Sequence, residues 1–110
     1  MPVVHTVLFQ FKADATPEEA KAACDRFLAL KDSCVHPASN TPYIKSLKGG
    51  KDNSTEGLQN GITHGFVVEF ESVEDRDYYV ATDPAHQAFV KSIGDVVIKA
   101  IVVDFEDGVY

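Results

Sequence analysis

Residues 3–12 alternate strictly, with Val3, His5, Val7, Phe9 and Phe11 on one side and Val4, Thr6, Leu8, Gln10 and Lys12 on the other. That period of two predicts a strand. The rhythm changes at Thr16-Pro17-Glu18-Glu19, where a capping hydroxyl, a proline in the first helical position and a Glu three residues past the cap predict a helix start. Ala20, Ala23, Cys24, Phe27, Leu30 and Cys34 continue it as one apolar stripe, which must stop before Pro37. Residues 43–48 read as a short strand closed by Gly49-Gly50, and residues 51–61 as a polar loop too long for a tight hairpin. Alternation returns over 62–71, with Ile62, His64, Phe66, Val68 and Phe70 on one face. Ser72 then caps a short acidic helix through Tyr78, Tyr79 and Val80. Asp83-Pro84 starts another, carrying Ala85, His86, Ala88, Phe89, Val90 and Ile93, and 98–105 form the last strand.

The order βαββα(α)β over a single domain, residues 1–110, predicts an α+β, ferredoxin-like protomer: a four-stranded antiparallel sheet with helices on one face. The first and third strands are expected as central neighbours running the same way, which would set His5 and His64 side by side. The face away from the helices is also apolar, with Val4, Leu8 and Val67, and the last strand is apolar on both sides. A second copy packed sheet to sheet is the simplest cover, so a homodimer through the sheet face is expected.

Seventeen acidic residues against ten basic ones leave a net charge of −7 with no basic cluster. This disfavours nucleic acid and anionic membranes as partners, both of which need clustered cations. No signal peptide or membrane span is apparent, so a cytoplasmic location is expected. Cys24 and Cys34, ten residues apart on one predicted helix, lie beyond disulfide reach and read as buried small hydrophobes in a reducing compartment.

Charge thus says little about chemistry, and the histidines say more. His36, between a helix end and Pro37, reads as solvated. His5 and His64 each interrupt an apolar strand face; they are either buried neutral imidazoles with satisfied hydrogen bonds or the polar lining of a pocket. His86 falls in the first turn of its helix, where the macrodipole disfavours imidazolium and leaves the neutral ring a general base needs. Of the adjacent Tyr78 and Tyr79, one is expected to face inward and offer its hydroxyl to an enolate or oxyanion. No metal-ligand spacing and no nucleotide-binding glycine pattern appears, and no cofactor is expected.

Three segments carry a family resemblance: the start His5-Thr6-Val7-Leu8-Phe9-Gln10-Phe11-Lys12, then Gly61-Ile62-Thr63-His64-Gly65-Phe66-Val67-Val68-Glu69-Phe70-Glu71-Ser72, and Asp83-Pro84-Ala85-His86-Gln87-Ala88-Phe89. Together with the closing Val102-Val103-Asp104-Phe105, these resemble the stress-responsive dimeric α/β-barrel (Dabb) domain. The resemblance implies protomers whose sheets pair into a dimeric α+β barrel. Within that family it is similar to olivetolic acid cyclase-type polyketide cyclases, which work without a cofactor through a His base and a Tyr partner. That similarity implies His86 as the base, Tyr79 as its partner, and His5 and His64 as further catalytic pocket residues. The Tyr-to-His segment is one residue longer than in those cyclases, and Phe27 stands where they place a pocket Tyr. The expected function is a polyketide cyclase- or lyase-like abstraction of a proton next to a carbonyl, on a small hydrophobic substrate bound by Phe9, Phe27, Phe66 and Phe89. The alternative is a non-catalytic stress-response dimer that holds a hydrophobic ligand.

Overall fold

A computed structural model describes all residues, 1–110. Strand β1 spans Val3–Phe11 and buries every second residue, as its alternation dictates. Helix α1, Pro17–Leu28, starts on a complete capping box: Thr16 Oγ1 accepts from the Glu19 amide at 3.1 Å, and Glu19 Oε1 accepts from the Thr16 amide at 2.9 Å. The expected single helix breaks at Ala29 and resumes as the one-turn α2, Leu30–Ser33. Cys34 follows it in extended conformation, fully buried, whereas Cys24 on α1 is only partly covered.

Strand β2 runs Ile44–Lys51, so Gly49 and Gly50 lie within the strand and do not close it. The reason is steric: a Cβ on Gly49 would collide with the Phe66 ring on β3, while Gly50 faces open space. Strand β3 is His64–Phe70, followed by α3, Val73–Ala81, α4, Pro84–Ser92, and β4, Val97–Phe105. Ser72 caps α3 by accepting from the Asp75 amide, and Asp83 caps α4 by accepting from the Ala85 amide. No helix is long and apolar enough to cross a membrane.

The sheet order is β2-β3-β1-β4 and every pairing is antiparallel, the ferredoxin-like α+β arrangement. The expectation that β1 and β3 run the same way is therefore wrong. The α1 crossover brings β2 back in the direction of β1, and the turn from β2 into β3 reverses it. Register then puts His5 opposite Val68 and His64 opposite Phe9, at different depths of the sheet.

On the helix-facing side, Val7, Phe9, Phe11, Phe66, Val68 and Phe70 meet Ala23, Phe27, Leu30, Phe89 and Ile93 in one core. Phe27 sits at its centre, stacked on Phe66 with ring centroids 4.4 Å apart and 4.9 Å from Phe89. Helices α1 and α2 lie over β2, and α3 lies over β1 and β3, but no helix packs substantially on β4. The inward residues Ala100 and Val102 consequently stay exposed, and this gap between β4 and α3–α4 shapes the site.

Candidate functional site

The gap is a cavity of about 690 Å³. Phe9, Phe27, Phe89, Val90 and Ile93 supply much of its apolar wall, and His5, Arg76, Tyr79, His86 and Asp104 its polar groups. Its size and its mainly apolar lining with a few polar groups suit a small organic ligand.

Each polar group is delivered by a different constraint. The inward side of β1 carries His5, and β4 brings Asp104 directly opposite it in register. Helix α3 places Arg76 and Tyr79 one turn apart, hence on one face, and α4 presents His86 in its first turn. Tyr79 lies between the two histidines. It stacks on His86 with centroids 4.0 Å apart and planes at 27°, and meets His5 edge-on at 5.7 Å.

The two imidazoles have unlike surroundings. His5 is 5% exposed and its Nδ1 lies 2.7 Å from Asp104 Oδ1. Asp104 Oδ2 accepts from Arg76 Nη1 at 2.8 Å, and Arg76 Nε donates to Asp77 at 2.8 Å. His86 has no carboxylate bonded to its ring; its Nδ1 is buried without a hydrogen-bond partner, and the ring lines the cavity. Burial, above all, pushes the His86 pKa below its ordinary value; the Tyr79 carbonyl opposes it, His5 adds a smaller push downward and Asp83 a still smaller one upward. The neutral ring expected from helix position is therefore obtained mainly by desolvation. Burial also raises the Tyr79 phenol well above its usual range, helped by Cys34 and Asp83, so it stays protonated.

A second polar knot lies behind this wall. Asp83 is 1% exposed, and its Oδ2 accepts from the Tyr43 hydroxyl at 2.6 Å while Oδ1 caps α4. Cys34 adjoins it, its thiol pushed up to about 12 by burial and by Asp83. A thiol so raised is not a nucleophile near neutral pH.

Of the sequence candidates, His5, Tyr79, His86, Phe9, Phe27 and Phe89 converge on the cavity, and His64 and Phe66 do not. His64 opens β3, with Nδ1 2.9 Å from Thr63 Oγ1 and its ring 4.8 Å from Phe11. Burial and the Lys51 ammonium lower its pKa, but it belongs to the far end of the sheet. Phe66 backs Phe27 from the sheet and does not line the space. His36, expected in solvent, is half-buried between Tyr43 and Tyr78 at 5.9 and 5.8 Å. Arg76 and Asp104 were missed. The available signal was Asp104 falling in step with Ala100 and Val102 on an apolar strand, but its partner follows only from the β1–β4 register. No three His, Cys, Asp or Glu side chains gather as a metal site would require.

The model of the stress responsive A/B barrel domain matches residues 3–107. The chain is 32% identical over 105 residues to the stress-response A/B barrel domain-containing protein HS1 of Arabidopsis thaliana, covering 96% of this chain and 89% of that protein. It is 30% identical over 96 residues to olivetolic acid cyclase of Cannabis sativa, covering 87% and 83% respectively. Among solved structures it is similar to a dimeric, ferredoxin-like protein of unknown function from Bacteroides fragilis, with a TM-score of 0.69, 25% identity and coverage of 96% and 95%. An antiparallel β2-β3-β1-β4 sheet, helices on one face and a match over nearly every residue agree: this chain belongs to the stress responsive A/B barrel domain family.

Proposed function

We propose that the protein is a homodimeric, cofactor-independent acid–base enzyme of the cyclase or lyase type, acting on a small hydrophobic carbonyl compound. The observation that carries this reading is the pair of imidazoles, His86 and His5, flanking Tyr79 in an otherwise apolar cavity. The ligand's apolar part lies against Phe9, Phe27, Phe89 and Ile93. His86 Nε2, neutral because its ring is desolvated, takes a proton from the carbon beside the carbonyl. The electron pair moves onto the carbonyl oxygen, which His5 at the cavity wall steadies; the Tyr79 hydroxyl, fully buried in the free protein, would join it once a ligand opens the stack. Similarity to olivetolic acid cyclase supports a ring-closing outcome, while lyase and isomerase outcomes share the same first step.

The dimer is supported by the uncovered sheet face. Val4 pairs with Phe105, Thr6 with Val103 and Leu8 with Ile101, and Val103 and Phe105 are 57% and 47% exposed. A contiguous apolar sheet face of this kind is where a second copy would pack.

The test is incubation of the purified protein with linear poly-β-ketones bearing an alkyl tail, with products followed by mass spectrometry. A cyclised or dehydrated product that His86→Gln does not form supports the enzyme. Tight binding of the same compounds without turnover would favour the hydrophobic-ligand-binding alternative.

A further inference from the structure

We infer that Arg76 and Asp104 are positioning residues that fix the tautomer of His5, making Nε2 the only His5 atom that exchanges protons with a ligand. The inference rests on reading the cavity as an acid–base site, but the geometry behind it is independent of any substrate. His5 and Asp104 are cross-strand partners on the inward side of β1 and β4, so their side chains stand next to each other. Asp104 spends one oxygen on His5 and the other on Arg76, at 2.7 and 2.8 Å. It cannot turn toward either partner without losing the other.

Arg76 supplies what β4 lacks. No helix packs substantially on that strand, so without a tie from above the Asp104 carboxylate would be free to swing toward solvent. The guanidinium reaches across from α3, itself held by Asp77. The side chains are 22% exposed for Arg76 and 20% for Asp104, against 6% for His5, so the chain of contacts runs from the cavity edge into its wall. An exposed ion pair would contribute little; this one is partly shielded and uses both carboxylate oxygens.

The chemical consequence follows from donor counting. An ionised carboxylate only accepts hydrogen bonds, so His5 Nδ1 carries the proton that lies between them. Nε2 is left as the exchanging atom, whether it takes a proton from an enol or, once protonated, donates to an enolate oxygen. His86 has no comparable anchor, its Nδ1 being without a partner. One imidazole of the cavity is thus locked and the other is not.

Two-bond proton–nitrogen correlation spectra of the 15N-labelled full chain, recorded at a pH where the rings are neutral, read tautomers directly. Wild type is expected to show His5 as one tautomer, with the proton on Nδ1. Arg76→Met should shift the His5 ratio toward the Nε2–H form by about tenfold, the scale of a weakened charge-assisted bond. Arg76→Lys, which keeps the charge but not the fork, should fall between them, and it serves if Arg76→Met does not fold. The His64 signals should not change. A wild-type His5 protonated on Nε2 overturns the inference, and so does a ratio that stays at the wild-type value in the Arg76 variant that folds. Because no turnover is needed, a locked His5 in a protein without activity would defeat the enzyme reading alone. An active protein with an unlocked His5 would defeat this inference alone.

Discussion

Two ends of the same sheet face hold the same ingredients, an imidazole among aromatic side chains, and the structure treats them differently. At the His64 end Phe11 and Thr63 close around the ring. At the His5 end α3 and α4 stop short of β4, Ala100 and Val102 stay uncovered, and a cavity opens with His86 on its opposite wall. The difference teaches that a histidine on an apolar strand comes to line a cavity through what fails to pack beside it. Its own sequence neighbourhood does not decide this.

The sharpest break of the comparison is catalytic. His86→Gln should lower turnover by at least about 10²-fold, the usual loss for a missing general base, whereas His64→Gln should leave it within about twofold; steady-state rates on one substrate check both. Packing should separate covered from uncovered positions around the cavity next. Phe27→Ala removes the ring at the centre of the core and should cost about 3–5 kcal/mol. Val102→Ala, at a position 54% exposed, should change stability by no more than about 0.5 kcal/mol. Urea unfolding measures the two.

A subtler pair lies on β2. Gly49→Ala drives a methyl into the Phe66 ring and should cost about 1–3 kcal/mol, while Gly50→Ala meets nothing and should be close to neutral. Smallest is the pH effect. His86 and His64 both have folded-state pKa values depressed below the ordinary 6.5, so between the depressed value and 6.5 the unfolded chain binds more protons than the folded one. Their contribution is complete above pH 6.5 and is lost as pH falls from there through the depressed values. Replacing either with Gln should flatten the fall of the urea midpoint over that window.

Much of this was legible in the chain. Alternation and capping residues located β1, β3, β4 and every helix start except α2, because period and cap chemistry are local; β2 was recognised but ended too early, since it runs Ile44–Lys51. The core aromatics and the uncovered face followed from the same parity. What escaped depended on relations between distant segments. Strand direction decided that His64 leaves His5, and the β1–β4 register decided that Asp104 meets it. Gly49-Gly50 looked like a terminus because the Phe66 ring that calls for a glycine at position 49 lies on another strand. Arg76 went unremarked, since nothing local says that it turns from its helix toward Asp104 on β4.

The central claim is that the cavity between β4 and α3–α4 moves protons through His86. Solvent-deuterium exchange at the carbon between the carbonyls of an alkyl-tailed β-diketone, followed by proton NMR with the full chain present, tests it without knowledge of the natural substrate. The account predicts exchange faster than the buffer rate, retained in His64→Gln and returned to the buffer rate in His86→Gln. Equal exchange by wild type and His86→Gln would contradict it.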